Sequence, residues 1–448
     1  MTFELAAIAA ALGCSIAATG VKVTGWSIDS RTVQSGDLFF ALKGPSHDGH
    51  QYVTQVLAAG AVGAVVEDKF ASADARLLRV GDTLVALQKA ASWAREQYQG
   101  TVIGVTGSAG KTSTKDVIAA LLATAMPVGK TIGNFNNHVG LPLSILRMPM
   151  ATQAAVLELG MNHAGEIRDL SAISRQKIAV VTNVGSAHIE NFESIEGIAA
   201  AKREIVEGLP ADGVAILNAD DARVAKFADV APRAVTFGLE NPHADVCARN
   251  VRLTGDGVHF TVDGIDFASP LVGRHSVLNI LAGLAVAREF GIETRSLQAA
   301  VRAIEPGKMR GEKLTHRGML IWNDCYNSNP DAAKAMLDVL RDTPAQRKIA
   351  VLGEMLELGQ QAEALHREVG VYAARCGVSI LFGVRGAAQF LVHAARDAGV
   401  LNSAAYHFFE TPEEAGDRLR EIAREGDAIL FKGSRGTQVE RALQRFLS

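Results

Sequence analysis

The sequence predicts an α/β protein of three domains: a small α/β domain at the N-terminus, a central P-loop ATPase-like domain built on a parallel sheet, and a C-terminal, doubly wound (Rossmann-like) domain. Three observations carry this. The 448-residue chain is too long for one ordinary core, which sets two to three domains. Short apolar runs alternate with helix-period segments twice, from residue 101 to about 310 and again from Met319 to the end. Between them, residues 306–315 hold Pro306, Gly307 and Gly311, as a hinge would.

Residues 1–99 read as short strands and helices. Leu5, Ile8 and Leu12 fall at the spacing of a short amphipathic helix. The first basic residue is Lys22, so the N-terminus lacks the charge that opens a signal peptide. The longest apolar run, Val56 to Val66, is too short to span a bilayer. A cytoplasmic protein with no membrane insertion is expected. Hydrophobic content of 48% with 21% charged residues suits a globular enzyme, and a net charge of −3 gives no basic field for nucleic acid. Cys14, Cys247, Cys325 and Cys376 are scattered without metal-ligand spacing, which reads as free thiols in a reducing compartment.

The central domain opens with the most informative stretch, TVIGVTGSAGKTSTK at 101–115. It reads as a buried strand, a glycine-rich turn, and a lysine and hydroxyl at the start of a helix. Gly107 and Gly110 let the backbone curl so that N–H groups converge on a phosphate, Lys111 adds charge, and Thr112 offers an oxygen to Mg²⁺. Val105 stands where the strict Walker pattern has glycine, leaving the compact form G-x-x-G-K-T. The alternative is a tight turn with a surface lysine. The helix rests on an apolar stripe of Val117, Ile118, Leu121, Leu122 and Ala125. Further buried strands are expected at Ala155–Leu159, Ile178–Thr182 and Val214–Asn218, and a small antiparallel element between Phe237 and Pro270.

Strand ends supply the candidate chemistry, because open parallel sheets bind ligands there. Glu158 is either a magnesium ligand or a strand-end carboxylate facing solvent. His188 is either a ligand, unusual for a cation that prefers oxygen, or a loop histidine. Lys202 occupies an inward position of a helix over Ser194–Leu209, because Ile195, Ile198, 202, Ile205 and Leu209 follow spacings of 3, 4, 3 and 4. A buried ammonium needs a partner or a changed charge state; otherwise it snorkels to water. The segment 131–140, TIGNFNNHVG, either presents amide donors to an anion or forms an Asx-rich turn.

In the third domain, strands are expected at Met319–Trp322, Ile349–Leu352, Val378–Phe382, Ala404–Phe408 and Ala428–Lys432. Helices start at Asn329-Pro330 and at the capping box Thr411-Pro-Glu-Glu414. In the run from Trp322 to Pro330, Asp324 and Tyr326 have the chemistry to meet a ribose and a base. The alternative there is a capped strand–helix turn.

Taken together, DSRTVQSGDLFFALKGPSHDGHQYV (29–53), GVTGSAGKTSTK, GNFNNHVGLPLS, LELGMNHAGEI, TNVGSAHIENF, AKREI, LNADD, GRHSVLN, YNSNPDA, VLGEMLELG and LFKGSR resemble, in order, the motifs of the Mur ligases, ATP-dependent amide ligases that build the cell-wall peptide on a UDP-sugar. The resemblance implies a UDP-sugar domain at 1–99, an ATP domain at 100–314 and a dipeptide-receiving domain at 315–448. It implies that Gly107, Ser108, Ala109, Gly110, Lys111, Thr112 and Ser113 hold ATP, with Asn279 and Asp324 near adenosine and Arg310 near the phosphates. It implies Thr112, Glu158, His188 and a carbamylated Lys202 as Mg²⁺ ligands, with Lys111, Lys202 and His188 catalytic. Ser30, Arg31, Asn136, Lys432 and Ser434 are implied in substrate contact. An Asp-Asn-Pro-Arg motif, typical of the member adding a single third residue, does not occur. The resemblance is thus to the branch that adds D-alanyl-D-alanine to UDP-N-acetylmuramoyl-tripeptide, acting as a monomer. Small departures, such as Ser108-Ala109, Ser276 and Ser328, touch fine contacts rather than the reaction.

Overall fold

The computed structural model describes residues 1–16, 20–398 and 405–448. Its N-terminal part carries a four-stranded parallel sheet in the order Gly25–Ser27, Asp37–Phe40, Gly63–Glu67, Leu77–Val80. The helix Leu5–Leu12 buries Leu5, Ile8 and Leu12, as their spacing requires. The apolar run Val56–Val66 is broken by Gly60 at φ 103°, a left-handed turn that only glycine adopts freely. It therefore splits between a helix, Val53–Ala58, and a strand.

Seven parallel strands form the central sheet, in the spatial order Val246–Cys247, Ala234–Gly238, Val214–Asn218, Ile178–Val181, Thr101–Thr106, Ala154–Glu158, Val128–Lys130. The expected strands occur within one residue of their bounds. Strand alternation divides the core into two faces. Ile103, Val105, Val156, Val180 and Ile216 meet Val117, Ile118, Leu121 and Leu122 of the helix Lys111–Leu122. Val102, Leu157, Val181 and Leu217 meet Ile198 and Ile205 of the helix Ile195–Glu207. Val117, Ile118, Leu121 and Leu122 are each at most 1% exposed, and burying each stabilises the face by roughly 1.5–3 kcal/mol. The helix Arg274–Glu289 packs alongside, where a Cβ on Gly283 would stand 2.7 Å from Val117. The antiparallel element is a three-stranded sheet of Arg249–Thr254, Gly257–Val262 and Ile265–Ser269.

Thr101–Thr106 lies between Ala154–Glu158 and Ile178–Val181. The chain leaves it first toward one edge and later toward the other, so the glycine-rich loop sits at the topological switch point of the sheet.

The third sheet runs Glu312–His316, Met319–Asp324, Asp427–Lys432, Arg347–Gly353, Ile380–Val384, Tyr406–Phe409, parallel except for its first pair. It begins at Glu312, inside the segment read as a hinge. The strand expected at Val378–Phe382 is displaced to Ile380–Val384. Gly377 turns at φ 73°, and Ser379 N–H first bonds Lys348 O at 2.6 Å before regular pairing starts. Of the strand expected at Ala404–Phe408, Ala404 lies outside the described residues and the observed strand is Tyr406–Phe409. Both helix starts form: Asn329 accepts from Ala332 N at 2.9 Å with Pro330 after it, and Thr411 with Glu414 closes the capping box. The helix expected over Ser194–Leu209 is shorter, Ile195–Glu207, because Ser194 caps it and Gly208 ends it. Among the described residues no helix is long and apolar enough to cross a membrane.

Candidate nucleotide and ligation site

A cavity of about 480 Å³ opens between the carboxyl edge of the central sheet and the third domain. Ser108, Ala109, Gly110, Lys111, Thr112 and Ser113 line one wall, and Arg310, Asp324, Tyr326 and Lys432 the opposite one. Sheet register explains the convergence. Val105 pairs with Glu158 and Thr106 with Val181, so the loop, the carboxylate and the segment leading to His188 leave adjacent strands at one level.

The loop itself is tightly held. Gly107 has φ 151°, and a Cβ there would stand 1.8 Å from Thr182 Oγ1. Gly110, at φ 81°, caps the twelve-residue helix, with Asn279 Oδ1 2.9 Å from where its Cβ would be. Ser108 Oγ donates to Gly185 O at 3.1 Å and accepts from Gly185 N at 2.8 Å. Ala109 N donates to Asn183 Oδ1 at 2.8 Å, and Thr182 Oγ1 donates to Ala109 O at 2.6 Å. Thr182, Asn183 and Gly185 were not singled out from sequence. Their partners lie more than 70 residues away, and the strand-end run Thr182-Asn-Val-Gly is the only local signal. Lys111 Nζ donates to Gly107 O at 2.7 Å. Burial lowers its pKa, opposed by Glu158.

Glu158 faces the cavity rather than bulk solvent, at 2% exposure. Its Oε2 accepts from Thr112 Oγ1 and its Oε1 from Asn136 Nδ2, both at 2.8 Å. Behind it, Lys115 Nζ donates to Thr131 O at 2.8 Å, and Thr131 Oγ1 accepts from Glu158 N at 3.1 Å. The 131–140 segment thus both turns and reaches the site, through Asn136.

Lys202 is 1% exposed, so its amine does not snorkel to bulk water. It has no hydrogen bond or ion pair with another described residue. Burial, and then the nearby charge of Lys111, push its pKa well below the usual lysine range. His188 has φ 64° and lies with Nδ1 2.6 Å from Glu357 Oε2 of the third domain, close enough for an ion pair but at an angle that leaves the buried Nδ1 without a hydrogen bond. That contact holds the Glu357 carboxyl below its ordinary range. Sequence reading missed Glu357, which lies more than 160 residues away.

Across the cavity, Arg310 lies 3.8 Å over the ring of Tyr326. Asp324 accepts from Lys432 Nζ at 2.5 Å and from Gly311 N at 2.9 Å, and Lys432 also donates to Asn327 O at 3.0 Å. Asn279, 7% exposed, accepts from Thr114 Oγ1 at 3.0 Å. Ser434 lines a smaller neighbouring cavity of about 120 Å³ with His188, Asn329 and Glu357. Its Oγ accepts from Leu356 N at 3.0 Å. Ser30 and Arg31 are not brought to either cavity. They follow the strand Gly25–Ser27 in the N-terminal sheet, where Arg31 is 84% exposed and holds Asp29 down to about 2.

Among the described residues no cluster of three or more His, Cys, Asp or Glu has metal-binding geometry. The donor set nonetheless suits a hard cation. A buried carboxylate and a hydroxyl already share a hydrogen bond beside the phosphate loop, and oxygen donors are what Mg²⁺ takes. Lys202 is buried close enough to feel the charge of Lys111, but it does not itself line the cavity.

Comparison with known proteins agrees with this geometry. Models of the "Mur ligase family, catalytic domain", the "Mur ligase middle domain" and the "Mur ligase, glutamate ligase domain" match residues 22–128, 105–287 and 309–435. The chain is similar to the UDP-N-acetylmuramoyl-tripeptide–D-alanyl-D-alanine ligase of Bacillus subtilis, with 37% identity over 94% of this chain and 93% of that protein. It is similar to a crystal structure of MurF from Acinetobacter baumannii, with TM-score 0.91, 29% identity and coverage of 100% and 99% of the two chains. It is also similar to MurF ligase from Thermotoga maritima in complex with ADP, with TM-score 0.83, 29% identity and coverage of 95% and 97%.

Proposed function

The chain belongs to the Mur ligase family, and we propose that it joins D-alanyl-D-alanine to UDP-N-acetylmuramoyl-tripeptide with cleavage of ATP to ADP and phosphate. One arrangement carries the reading: a pinned phosphate loop whose Lys111 and Thr112–Glu158 pair face, across one cavity, the Arg310 and Lys432 side of another domain. A three-substrate ligase needs such a shared chamber, because holding the reactants together lowers much of the barrier. The near-full-length likeness to the Bacillus subtilis ligase supports this pair of substrates.

In this reading the loop N–H groups and Lys111 bind the ATP phosphates, with Lys111 leaving Gly107 O to do so. An oxygen of the tripeptide's terminal carboxylate attacks the γ-phosphorus. The bond to the β–γ bridging oxygen breaks, giving an acyl phosphate and ADP. The free amine of D-alanyl-D-alanine then adds to the acyl carbon. The tetrahedral species loses a proton and expels phosphate, leaving the amide. Arg310 and Lys111 offset charge on the moving phosphoryl group. Ser30 and Arg31 hold the UDP end, Asn136 orients the peptide, and Lys432 and Ser434 receive the dipeptide.

Thr112, Glu158, His188 and Lys202 would hold Mg²⁺, which supplies charge neutralisation of the phosphates when bound. Lys202 serves as a carbamate. The depressed amine pKa favours the free base, whose lone pair adds to CO₂ with loss of one N–H proton. That converts a buried would-be cation into an oxygen donor. The enzyme works in the cytoplasm, as a monomer.

Phosphate release from ATP should require both UDP-muramoyl-tripeptide and D-alanyl-D-alanine, with single amino acids failing to replace the dipeptide. Turnover independent of an acid and an amine substrate would instead identify a nucleotide-binding module.

A further inference from the structure

The loop containing His188 and the third-domain segment 354–361 meet in a way the catalytic reading does not use. His188 and Glu357 both adopt left-handed backbone, each at φ 64°, a region unfavourable for residues with a Cβ. They face one another across the domain boundary, with Nδ1 2.6 Å from Oε2, an ion-pair contact too bent for a hydrogen bond, so that Nδ1 is buried with no other polar partner. Glu190 N donates to Glu357 O at 3.3 Å, so the backbones dock as well as the side chains. Leu358 is 2% exposed, which anchors the segment, and Gly359 lies so close to Glu190 that a Cβ would stand 2.8 Å from it. Two unfavourable backbone conformations meeting at one contact are held there by the surrounding structure rather than by local preference.

We propose that Glu357 is a positioning residue: delivered by the docked third domain, it holds Nδ1 of His188 and so fixes the ring with Nε2 toward the main cavity that His188 lines. A carboxylate lying against Nδ1 favours the proton on that nitrogen by charge, which keeps the Nε2 lone pair for a ligand, and such outer partners change metal affinity or activity by about 10–100-fold. Orientation of His188 is thereby coupled to domain docking, since Glu357 leaves with the third domain. This rests on the ligase reading for its link to activity, though not for the ring geometry itself.

The test uses the full chain with Glu357→Gly, Glu357→Gln and a His188→Asn control. Glycine accepts φ 64° and deletes the carboxylate, so folding is preserved. Glutamine retains a partly negative oxygen against Nδ1. Imidazole ¹⁵N spectra, with the His188 signals assigned by their loss in His188→Asn, should report the Nδ1–H tautomer in the wild type and in Glu357→Gln. In Glu357→Gly they should show a mixture with Nε2–H. The magnesium concentration for half-maximal phosphate release should rise about 10-fold in Glu357→Gly and less than about 3-fold in Glu357→Gln. An unchanged tautomer together with an unchanged magnesium midpoint in Glu357→Gly overturns the proposal. If wild-type protein fails to release phosphate with its substrates, the ligase reading falls while the ¹⁵N spectra still decide the role of Glu357.

Discussion

Replacing Lys202 by methionine separates the stability of the fold from the chemistry of the site. Methionine keeps an unbranched stem between Ile198 and Ile205 and deletes only the amine, which sits at 1% exposure without a protein partner. Removing an unsatisfied buried polar group recovers about 1–3 kcal/mol. For a domain of about 200 residues this raises Tm by roughly 2–12 °C. The pH dependence has a definite sign. The folded-state amine titrates well below its unfolded value because of burial and Lys111. Between the two pKa values the unfolded chain binds the extra proton, so wild-type stability rises with pH through that window. Lys202→Met lacks this slope. Its advantage should be largest at pH 6 and shrink toward the unfolded lysine pKa of about 10.4. Thermal scans of the central-domain transition at pH 6, 7.5 and 9, in CO₂-free buffer, measure this. Bicarbonate should then stabilise the wild type alone. A variant less stable than wild type at pH 6, or a gap that does not change between pH 6 and 9, would refute the claim that the amine is buried without compensation.

Other perturbations report on different walls of the cavity. Lys202→Ala should abolish ligation, with partial rescue by short-chain carboxylic acids; full activity without them contradicts the ligand role. Glu158→Gln keeps the shape and the bond accepted from Asn136, and reverses the one to Thr112, whose hydroxyl can accept from the amide, while deleting the charge, so the protein should stay folded and lose magnesium-dependent turnover; wild-type rates in a magnesium titration would make Glu158 a bystander. Gly107→Ala places a Cβ 1.8 Å from Thr182 Oγ1, and displacing the loop by strain of about 1–3 kcal/mol should weaken ADP binding roughly 5–150-fold by calorimetry; unchanged affinity would mean the loop does not grip phosphate. Arg31→Ala removes only an exposed pair with Asp29, so Tm should stay within about 1 °C while KM for the UDP substrate rises; an unchanged KM removes Arg31 from that site.

The parts of the site that are local in sequence were legible. Strand, turn, lysine and hydroxyl follow one another within 101–112, and a single helical period placed position 202 inward. Position alone left Glu158 undecided between cavity and solvent. Its orientation depends on register, Val105 against Glu158, and register is a property of two strands some fifty residues apart. The contacts of Asn183 with the loop and of Glu357 with His188 join elements whose proximity arises only after the sheets form and the domains dock. No periodicity encodes them. The shift of one third-domain strand to Ile380–Val384 has a smaller cause: Val378 is buried and apolar like a strand residue, yet it belongs to the turn that follows Gly377.

Charge and docking together explain why the chamber suits an acyl phosphate. Lys111 bonds a carbonyl and Arg310 rests on an aromatic face, so among the described residues neither is in an ion pair with a carboxylate. Glu158 is satisfied by two neutral donors. The cavity therefore offers cationic capacity for a triphosphate without first breaking an ion pair, which a preorganised electrostatic site requires. Near the loop the third domain is held by Asn329 Nδ2 to Ser108 O at 3.4 Å, Glu190 N to Glu357 O at 3.3 Å and the His188–Glu357 ion pair, while farther away Lys313 donates to Gly255 O at 2.7 Å and Val272 shares an apolar cluster with Met336 and Val339. The two backbone-accepting hydrogen bonds next to the loop contribute about 0.5–1.5 kcal/mol each. Their placement around the phosphate loop means that a third domain docked as it is here covers the place where the phosphoryl group would be transferred.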